Sequence, residues 1–518
     1  MTRHPRYDPT PGSHAVVIGA GLGGLAAAMR LGARGWRVTV LDRLDVPGGR
    51  ASTITSRGHR FDLGPTIVTA PQVFRKLFSD CGLDFDAAVS LKALDPFYTI
   101  RWPDGSHLDV SGDDAAMAAE VARLSPGDVA GWRRFLEDAE ARYVVGYEGM
   151  LTKPMHRFAE TAKVLPTFAR LRADRSILGL ARARVKDERL RMALSFHPLF
   201  IGGDPARVTS MYALVSHLEK TFGVHYAMGG VGAMARAMAD AILGQGGELR
   251  MRTQVDRIEQ GSGGRVTGVV TADGARIDAD IVVSNADAGH TYRRLLPGRR
   301  RWTGRRLGRA RWSMGLFVWY FGTEGTRSMW PDLGHHTILS GPRYEGLLRD
   351  VFRRGVLADD MSLYVHRPSV TDPSVAPRGG DTFYALSPVP HLGHRNPVNW
   401  ADMRETYRRR VQDVLERTVM PGLGAHVTAS LCLTPEDFRD RYLSQHGAGF
   451  SIEPRILQSA WFRPHNLSEE APGLYLVGAG THPGAGLPGV VASAEVVDQL
   501  VPAARPAAAR QDWREAAE

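Results

Sequence analysis

Cysteine is nearly absent, with Cys81 and Cys432 the only two among 518 residues. Two thiols cannot build a disulfide framework or a multi-thiolate metal site, and a reducing compartment suits such a chain. No metal centre is expected. Lysine is scarce as well, 6 residues against 59 arginines, a skew that beside abundant Ala and Gly points to a GC-rich genome. The formal charge of +10 therefore does not make a nucleic-acid binder. A helix-turn-helix, a zinc finger or an aromatic RNA-binding strand is missing, so no nucleic-acid partner is expected. The opening Met1 to Ser13 holds three prolines and no apolar h-region, unlike a secretory signal or transit helix, which makes a cytoplasmic location the expectation. Two uncharged stretches, Pro9 to Met29 and Ala471 to Ala494, are long enough to raise the question of a membrane span. Both are dense in glycine and the second holds His482, Pro483 and Pro488, so neither is expected to cross.

What is present suits a large folded protein: 43% hydrophobic and 23% charged residues are near globular averages. The length allows about three domains or one large discontinuous fold. His14 to Ile18 reads as a short buried strand, Gly19-Ala20-Gly21-Leu22-Gly23-Gly24 as a turn, and Leu25 to Leu31 as a helix. A second strand, Trp36 to Leu41, closes a βαβ opening and predicts a parallel sheet. From about Asp113 to Glu219 the pattern is helical, with breaks expected at Pro126, Pro154, Pro166, Pro198 and Pro205. Strands are then expected at Leu249 to Val255, Arg265 to Val270 and Arg276 to Val283. A mixed segment follows from Arg311 to Pro454, and Gly473 to Val477 forms a last buried strand before a glycine turn and an Ala/Val helix.

Gly19-x-Gly21-x-x-Gly24 matches the dinucleotide fingerprint, in which the glycines permit a tight turn, backbone approach to a pyrophosphate and close helix packing. Asp42 stands 23 residues after Gly19, at the strand end where a carboxylate accepts ribose hydroxyls. NAD and FAD share this fingerprint. Gly48, Gly49 and Arg50 follow directly, and bare backbone beside a forked cation suits contact with a phosphate or a flavin edge. A second match, Gly230-x-Gly232-x-x-Ala235, lacks a convincing strand before it and a ribose acid at the right place, and reads as a helix-start turn.

The block Gly473-Leu474-Tyr475-Leu476-Val477-Gly478-Ala479-Gly480-Thr481-His482-Pro483-Gly484-Ala485-Gly486-Leu487-Pro488-Gly489-Val490 resembles the signature of bacterial-type phytoene desaturases. The resemblance continues in Arg189 to Phe200, Ser284-Asn285-Ala286-Asp287 and Gly449 to Pro454, and so spans about Ala15 to Leu500. It implies an α/β fold of the amine-oxidase type. A discontinuous Rossmann-like FAD-binding domain would be assembled from residues 1–80, 225–292 and 455–500. Residues 81–224 would form an inserted, largely helical substrate- and membrane-facing region, 293–454 a mixed-sheet substrate domain, and 501–518 a frayed tail. By the same resemblance Gly19, Gly21, Gly24 and Asp42 would hold the ADP half of a non-covalent FAD, with Gly49 and Arg50 near the diphosphate. Val255 would present backbone to adenine, Gly478 and Thr481 would lie near the ribityl chain, and Gly489 and Val490 would face the flavin pyrimidine. The family more often carries Glu where Asp42 stands.

The implied activity is successive desaturation of phytoene to neurosporene or lycopene, with oxygen or a quinone as electron acceptor. Later hydroxy- or methoxy-carotenoid desaturases, carotenoid isomerases and the non-catalytic prenyl-binding Rab GDP-dissociation inhibitors are rivals of related fold. Desaturation needs a proton acceptor, and Glu160, with Lys163 one helical turn on, is a candidate, although Met155, Phe158, Ala162, Leu165 and Ala169 make the other face of that helix apolar. His197 and His482 read as structural histidines. Between Ala288 and Thr323 acidic residues are missing while Arg293, Arg294, Arg299, Arg300, Arg301, Arg305, Arg306, Arg309 and Arg311 cluster with Trp302 and Trp312. Cations with tryptophan at headgroup level suit peripheral attachment to the inner face of the cell membrane.

Overall fold

A computed structural model describes residues 13–296 and 302–504. Five parallel strands form the sheet that carries the glycine turn of residues 19–24, in the order Leu474–Leu476, Ile281–Ser284, His14–Ile18, Arg37–Leu41, Glu248–Arg250. Their residues are apolar almost without alternation because helices or strands cover both faces, as a parallel sheet requires. On one face Leu25, Ala26 and Met29 of helix Leu22–Ala33 pack with Val491, Ala494 and Val497 of helix Leu487–Leu500. Among the described residues the first and last helices are thereby locked together, and the buried Arg30 guanidinium pairs with Glu495 of the latter at 3.5 Å and with Asp80 at 2.8 Å.

Two expected strands end elsewhere, for visible reasons. The strand expected over Leu249 to Val255 stops at Arg250, because Arg252 turns with φ +55° and the N–H groups of Arg252 and Thr253 go to the carbonyls of Leu44 and Asp42. Val255 therefore opens the next strand, Val255–Gln260, and does not end one. The strand expected from Arg276 to Val283 is two, Arg276–Asp278 and Ile281–Ser284. Asp280 exchanges hydrogen bonds with the His14 backbone at the break, where the chain leaves a three-stranded antiparallel sheet for the parallel one.

Between the sheet segments lie the helices Asp114–Leu124, Val129–Tyr143, Phe158–Arg170, Ile177–Arg184, Glu188–Ser195 and Leu214–Phe222. Asp113, Ser176 and Asp187 cap three of them by accepting backbone N–H groups of the first turn. Pro166 does not break its helix but sits inside Phe158–Arg170. It forfeits only the hydrogen bond to the Ala162 carbonyl, while packing of the inner face holds the helix. The second glycine match is the start of helix Val231–Gly244, where a Cβ on Gly230 would stand 2.3 Å from the Asp62 carboxylate.

A seven-stranded mixed sheet faces a cavity, in the order Val427–Leu433, Gly315–Thr323, Asp381–Val389, Leu363–His366, His336–Leu339, Tyr98–Arg101, His107–Val110. Only the pairing of His336–Leu339 with Tyr98–Arg101 is parallel. The outer face of this sheet packs Phe317, Trp319 and Phe383 against Trp400, Tyr407 and Val411 of helix Trp400–Thr418. Its inner face presents Leu316, Val318, Tyr320, Tyr364 and Tyr384 toward that cavity, shared with the parallel sheet. Among the described residues no helix is long and apolar enough to cross a membrane.

Candidate active site

The glycine turn is fixed by close approach as much as by flexibility. Gly19 adopts φ +96°, and a Cβ on Gly24 would lie 2.0 Å from the Gly19 carbonyl oxygen. The turn can therefore run into its helix only if position 24 has no side chain. Gly21 stands immediately before the helix and supplies no side-chain cap, so the first helical N–H groups are left for an anion. Asp42 accepts the Ala20 N–H at 2.7 Å and the Leu44 N–H at 2.8 Å. Burial pushes its carboxyl above the usual range while those N–H groups pull it back, and its remaining lone pairs are available to ribose hydroxyls.

Asn285, whose motif the sequence singles out without a role, keys two turns together. Its amide donates to the Gly19 carbonyl at 3.4 Å. Cβ atoms added at Gly21, Gly23 or Gly478 would meet that same amide at 2.6, 2.8 and 2.5 Å. The backbones of residues 19–24 and 478–490 thus converge on one wall, and helix Leu487–Leu500 starts there with no side-chain cap either. Gly489 is required by that start, since a Cβ would stand 2.6 Å from the Gly484 carbonyl. The loop between is braced by Arg463, whose buried guanidinium donates to the carbonyls of Thr481, Gln458, Ile452 and Ala479. Burial lowers the Arg463 pKa against the pull of Tyr212 and Asp287.

One cavity of about 970 Å³ runs from these turns into an apolar hollow. Gly19, Gly21, Asp42, Gly49, Arg50, Val255, Gly478, Gly489 and Val490 all border it, so the structure brings these expected site residues together. Gly24 and Thr481 stand behind the wall. Gly24 shapes the turn, and the buried Thr481 hydroxyl donates to the Pro464 carbonyl at 2.6 Å. Arg50 reaches the Ser444 hydroxyl, and burial draws its pKa down against the pull of Asp287. Two uncapped helix N-termini, bare glycine backbone, a carboxylate and a guanidinium on one wall suit a diphosphate and an electron-rich ring.

Glu160 and Lys163 are not brought to this cavity. They pair with each other at 2.9 Å on the exposed face of their helix, and the lysine holds the Glu160 carboxyl below its usual range. The opposite face contributes Thr161, Leu165, Phe168 and Ala169 to the cavity lining. Phe158, Leu165, Ile456 and Leu457 remain 45%, 48%, 40% and 69% exposed. Leu165 and Ile456 also line the cavity, which therefore opens through an apolar rim. The basic segment fares differently. Arg299, Arg300 and Arg301 lie outside the described residues, and Arg293, Arg294, Arg305, Arg309 and Arg311 are exposed. Trp312, expected at headgroup level, is buried against His446 and cannot reach a bilayer.

Polar groups are set among the apolar residues of the wall. Thr66 hydrogen-bonds the hydroxyls of Tyr364 and Tyr384, each at 2.9 Å. Behind Tyr364 the buried rings of His335, His336 and His366 bring one nitrogen each within 4.8 Å of one another, an arrangement that could take a metal ion. All three are already engaged, His336 Nδ1 with the Tyr364 hydroxyl at 2.7 Å, His335 Nδ1 with Thr371 at 2.6 Å, and His335 Nε2 with His366 Nε2 at 3.1 Å. His482 lines the cavity with Nε2 3.1 Å from the Met150 carbonyl, and burial pulls its pKa down to about 4. Farther along the wall His197 and Glu219 form a second polar group with Tyr98. Sequence reasoning passed over Glu219 and Tyr98, because their partners lie 22 and 121 residues apart along the chain and no spacing rule connects them.

Comparison with known proteins identifies the family. The family described as flavin containing amine oxidoreductase matches residues 22–497. The chain is 66% identical over 503 residues to the phytoene desaturase (neurosporene-forming) of Cereibacter sphaeroides, covering 96% of each chain. It is 42% identical to the phytoene desaturase (lycopene-forming) of a Paracoccus species, over 94% of this chain and 97% of the other. Among solved structures, an oxidoreductase from Methanosarcina mazei superposes with a TM-score of 0.63 at 19% identity, over 94% of this chain and 100% of that one, and shares the fold. Over nearly its whole length, then, this chain belongs to the flavin containing amine oxidoreductase family, and within it to the phytoene desaturases.

Proposed function

We propose that the protein is an FAD-dependent desaturase that converts phytoene in successive steps to a more conjugated acyclic carotenoid, working from the surface of a membrane. The observation that carries this reading is the continuity of the cavity. Its glycine-rich, helix-tipped end suits a dinucleotide, and it continues without a partition into a hollow lined by Leu199, Phe200, Leu214, Leu316, Val318 and Phe450. An acyclic polyene offers no polar handle, so its affinity must come from such apolar contact. FAD, held non-covalently by the turn at 19–24, Asp42, Arg50 and the helix starting at Leu487, would supply the two-electron acceptor for hydrogen removed from the substrate. The protein's share is to orient the chain against that acceptor, exclude water and accept a proton. Greater identity to the neurosporene-forming relative than to the lycopene-forming one favours neurosporene as product. The apolar rim at Phe158, Leu165, Ile456 and Leu457 supports uptake from a bilayer, and oxygen or a quinone would then reoxidise the enzyme.

The decisive experiment mixes the purified yellow protein anaerobically with phytoene in liposomes. Flavin absorbance should fall while longer polyene bands grow, turnover should resume when an acceptor is admitted, and neurosporene should accumulate. Lycopene as the product would move the protein to the other group of relatives. A polyene change without flavin reduction would indicate an isomerase, and untouched phytoene beside an oxidised hydroxy- or methoxy-carotenoid a late-pathway enzyme. Tight lipid binding with no spectral change would indicate a prenyl-binding protein.

A further inference from the structure

Removing two hydrogens from adjacent carbons breaks two C–H bonds and makes one π bond. If one hydrogen leaves as hydride to the flavin, the other leaves as a proton that needs an acceptor inside an apolar cavity. Burying a carboxylate on such a wall is expensive unless it is paired. Glu219 is 3% exposed and His197 4% exposed, and both border the cavity. Glu219 Oε2 lies 3.1 Å from His197 Nε2 and accepts the Tyr98 hydroxyl at 2.9 Å. Burial and the neighbouring carboxylate push the Tyr98 pKa well up, so Tyr98 remains a donor. A carboxylate that accepts from Nε2–H fixes that proton and leaves Nδ1 with its lone pair. His197 Nδ1 is buried and has no hydrogen-bond partner within the protein. The ring is held in place from the other side by Phe196, stacked with centroids 4.4 Å apart.

We propose that His197 Nδ1 is the proton acceptor of the desaturation, with Glu219 and Tyr98 as positioning residues that fix its tautomer and stabilise the imidazolium as it forms. The inference rests on the desaturase reading above. The geometry follows the logic of a carboxylate–imidazole pair, in which the carboxylate orients the ring and balances its charge while the far nitrogen takes the proton. The proton is passed to water when product leaves the cavity, and the electron pair of that C–H bond becomes the new π bond. Glu219 on helix Leu214–Phe222 meets His197, which opens the short helical turn His197–Ile201, and Tyr98, which lies on the strand next to the edge of the mixed sheet.

Stopped-flow flavin bleaching by phytoene in liposomes, without oxygen, tests both statements separately. A wild-type protein that is not bleached refutes the desaturase reading and this inference with it. If wild type is bleached, His197→Gln, which keeps a donor at the Nε2 position and has no titratable nitrogen, should retain flavin and phytoene uptake yet bleach at least about 100-fold more slowly, the usual scale of a lost general base. Bleaching at the wild-type rate overturns the proposal. Should His197→Gln fail to hold flavin, Glu219→Gln decides. Its limiting rate should fall about tenfold or more at nearly unchanged half-saturating phytoene, and an unchanged rate is equally fatal. A readout independent of turnover is the ¹⁵N spectrum of histidine-labelled protein, with His197 assigned by difference. A neutral ring protonated on Nε2 is expected, and protonation on Nδ1 overturns the assignment.

Discussion

Gly24 shows how a single residue can decide whether a turn can run into its helix. Its missing Cβ leaves room for the Gly19 carbonyl, at a separation of 2.0 Å that no side chain tolerates. Gly24→Ala should force the helix start outward, costing about 1–3 kcal/mol as an overpacked contact and most of the bound flavin. Urea midpoints and the flavin-to-protein absorbance ratio would show this. Gly127→Ala, where an added Cβ meets nothing within 4 Å, should stay within about 0.5 kcal/mol of wild type with full flavin. Equal flavin content in the two variants would mean that the turn does not shape the site as described. At this scale the sequence was a good guide, because close packing of a turn is encoded by glycines a few residues apart. It was a poor guide to Glu160, where one charged face of a helix looks the same whether it points to solvent or to a cavity.

At the scale of the element, helix Phe158–Arg170 divides its labour between faces. Glu160 and Lys163 form an exposed ion pair of small energetic worth, while Leu165, Phe168 and Ala169 turn toward the cavity. With Ile456 and Leu457 from the facing loop they make a rim whose exposed apolar surface is explained if lipid covers it. Leu165→Asp combined with Leu457→Asp should therefore lower liposome co-sedimentation about tenfold or more, on the scale of two leucines losing contact with hydrocarbon, and leave flavin content untouched. Unchanged sedimentation would shift membrane contact to the arginines between 293 and 311. The periodicity of this helix was legible in sequence, as was its apolar stripe. What lies under the stripe was not, since a stripe covers a core and a cavity alike.

The molecule as a whole carries an unusual load of buried histidine. Burial pulls the pKa of His335 and His391 down to about 3 and that of His482 to about 4, and pushes His336 and His366 well below their usual value. As pH falls below about 6.5, the unfolded chain takes up protons that these folded rings refuse, so each contributes stability above that pH and loses it on acidification, at up to about 1.4 kcal/mol per pH unit. Asp62 and Glu453 act in the opposite sense, because burial raises their pKa to about 7. The folded carboxyls are protonated before the unfolded ones and add stability between about pH 7 and pH 4. The histidines are the more numerous, so urea midpoints should fall between pH 6.5 and pH 4, and His335→Gln should make the fall shallower. A midpoint that rises over that interval would mean that the rings are not held neutral.

The βαβ opening and the family are legible in the residues alone. Strand, glycine turn, helix and terminal acid lie within 29 residues, from His14 to Asp42, and interactions at such short separations follow spacing rules. Likewise the long glycine block from Gly473 to Val490 is dictated by local backbone approach. Only the tertiary structure decided where the strands of residues 248–260 and 276–284 end, because hydrogen bonds to Asp42, Leu44 and His14, more than 200 residues away, set those ends. Only the tertiary structure turned Glu160 outward, buried Trp312 and placed Glu219 beside His197 and Tyr98. Each of these depends on which element packs over which, and burial is a property of the assembled fold that no local pattern of residue types specifies.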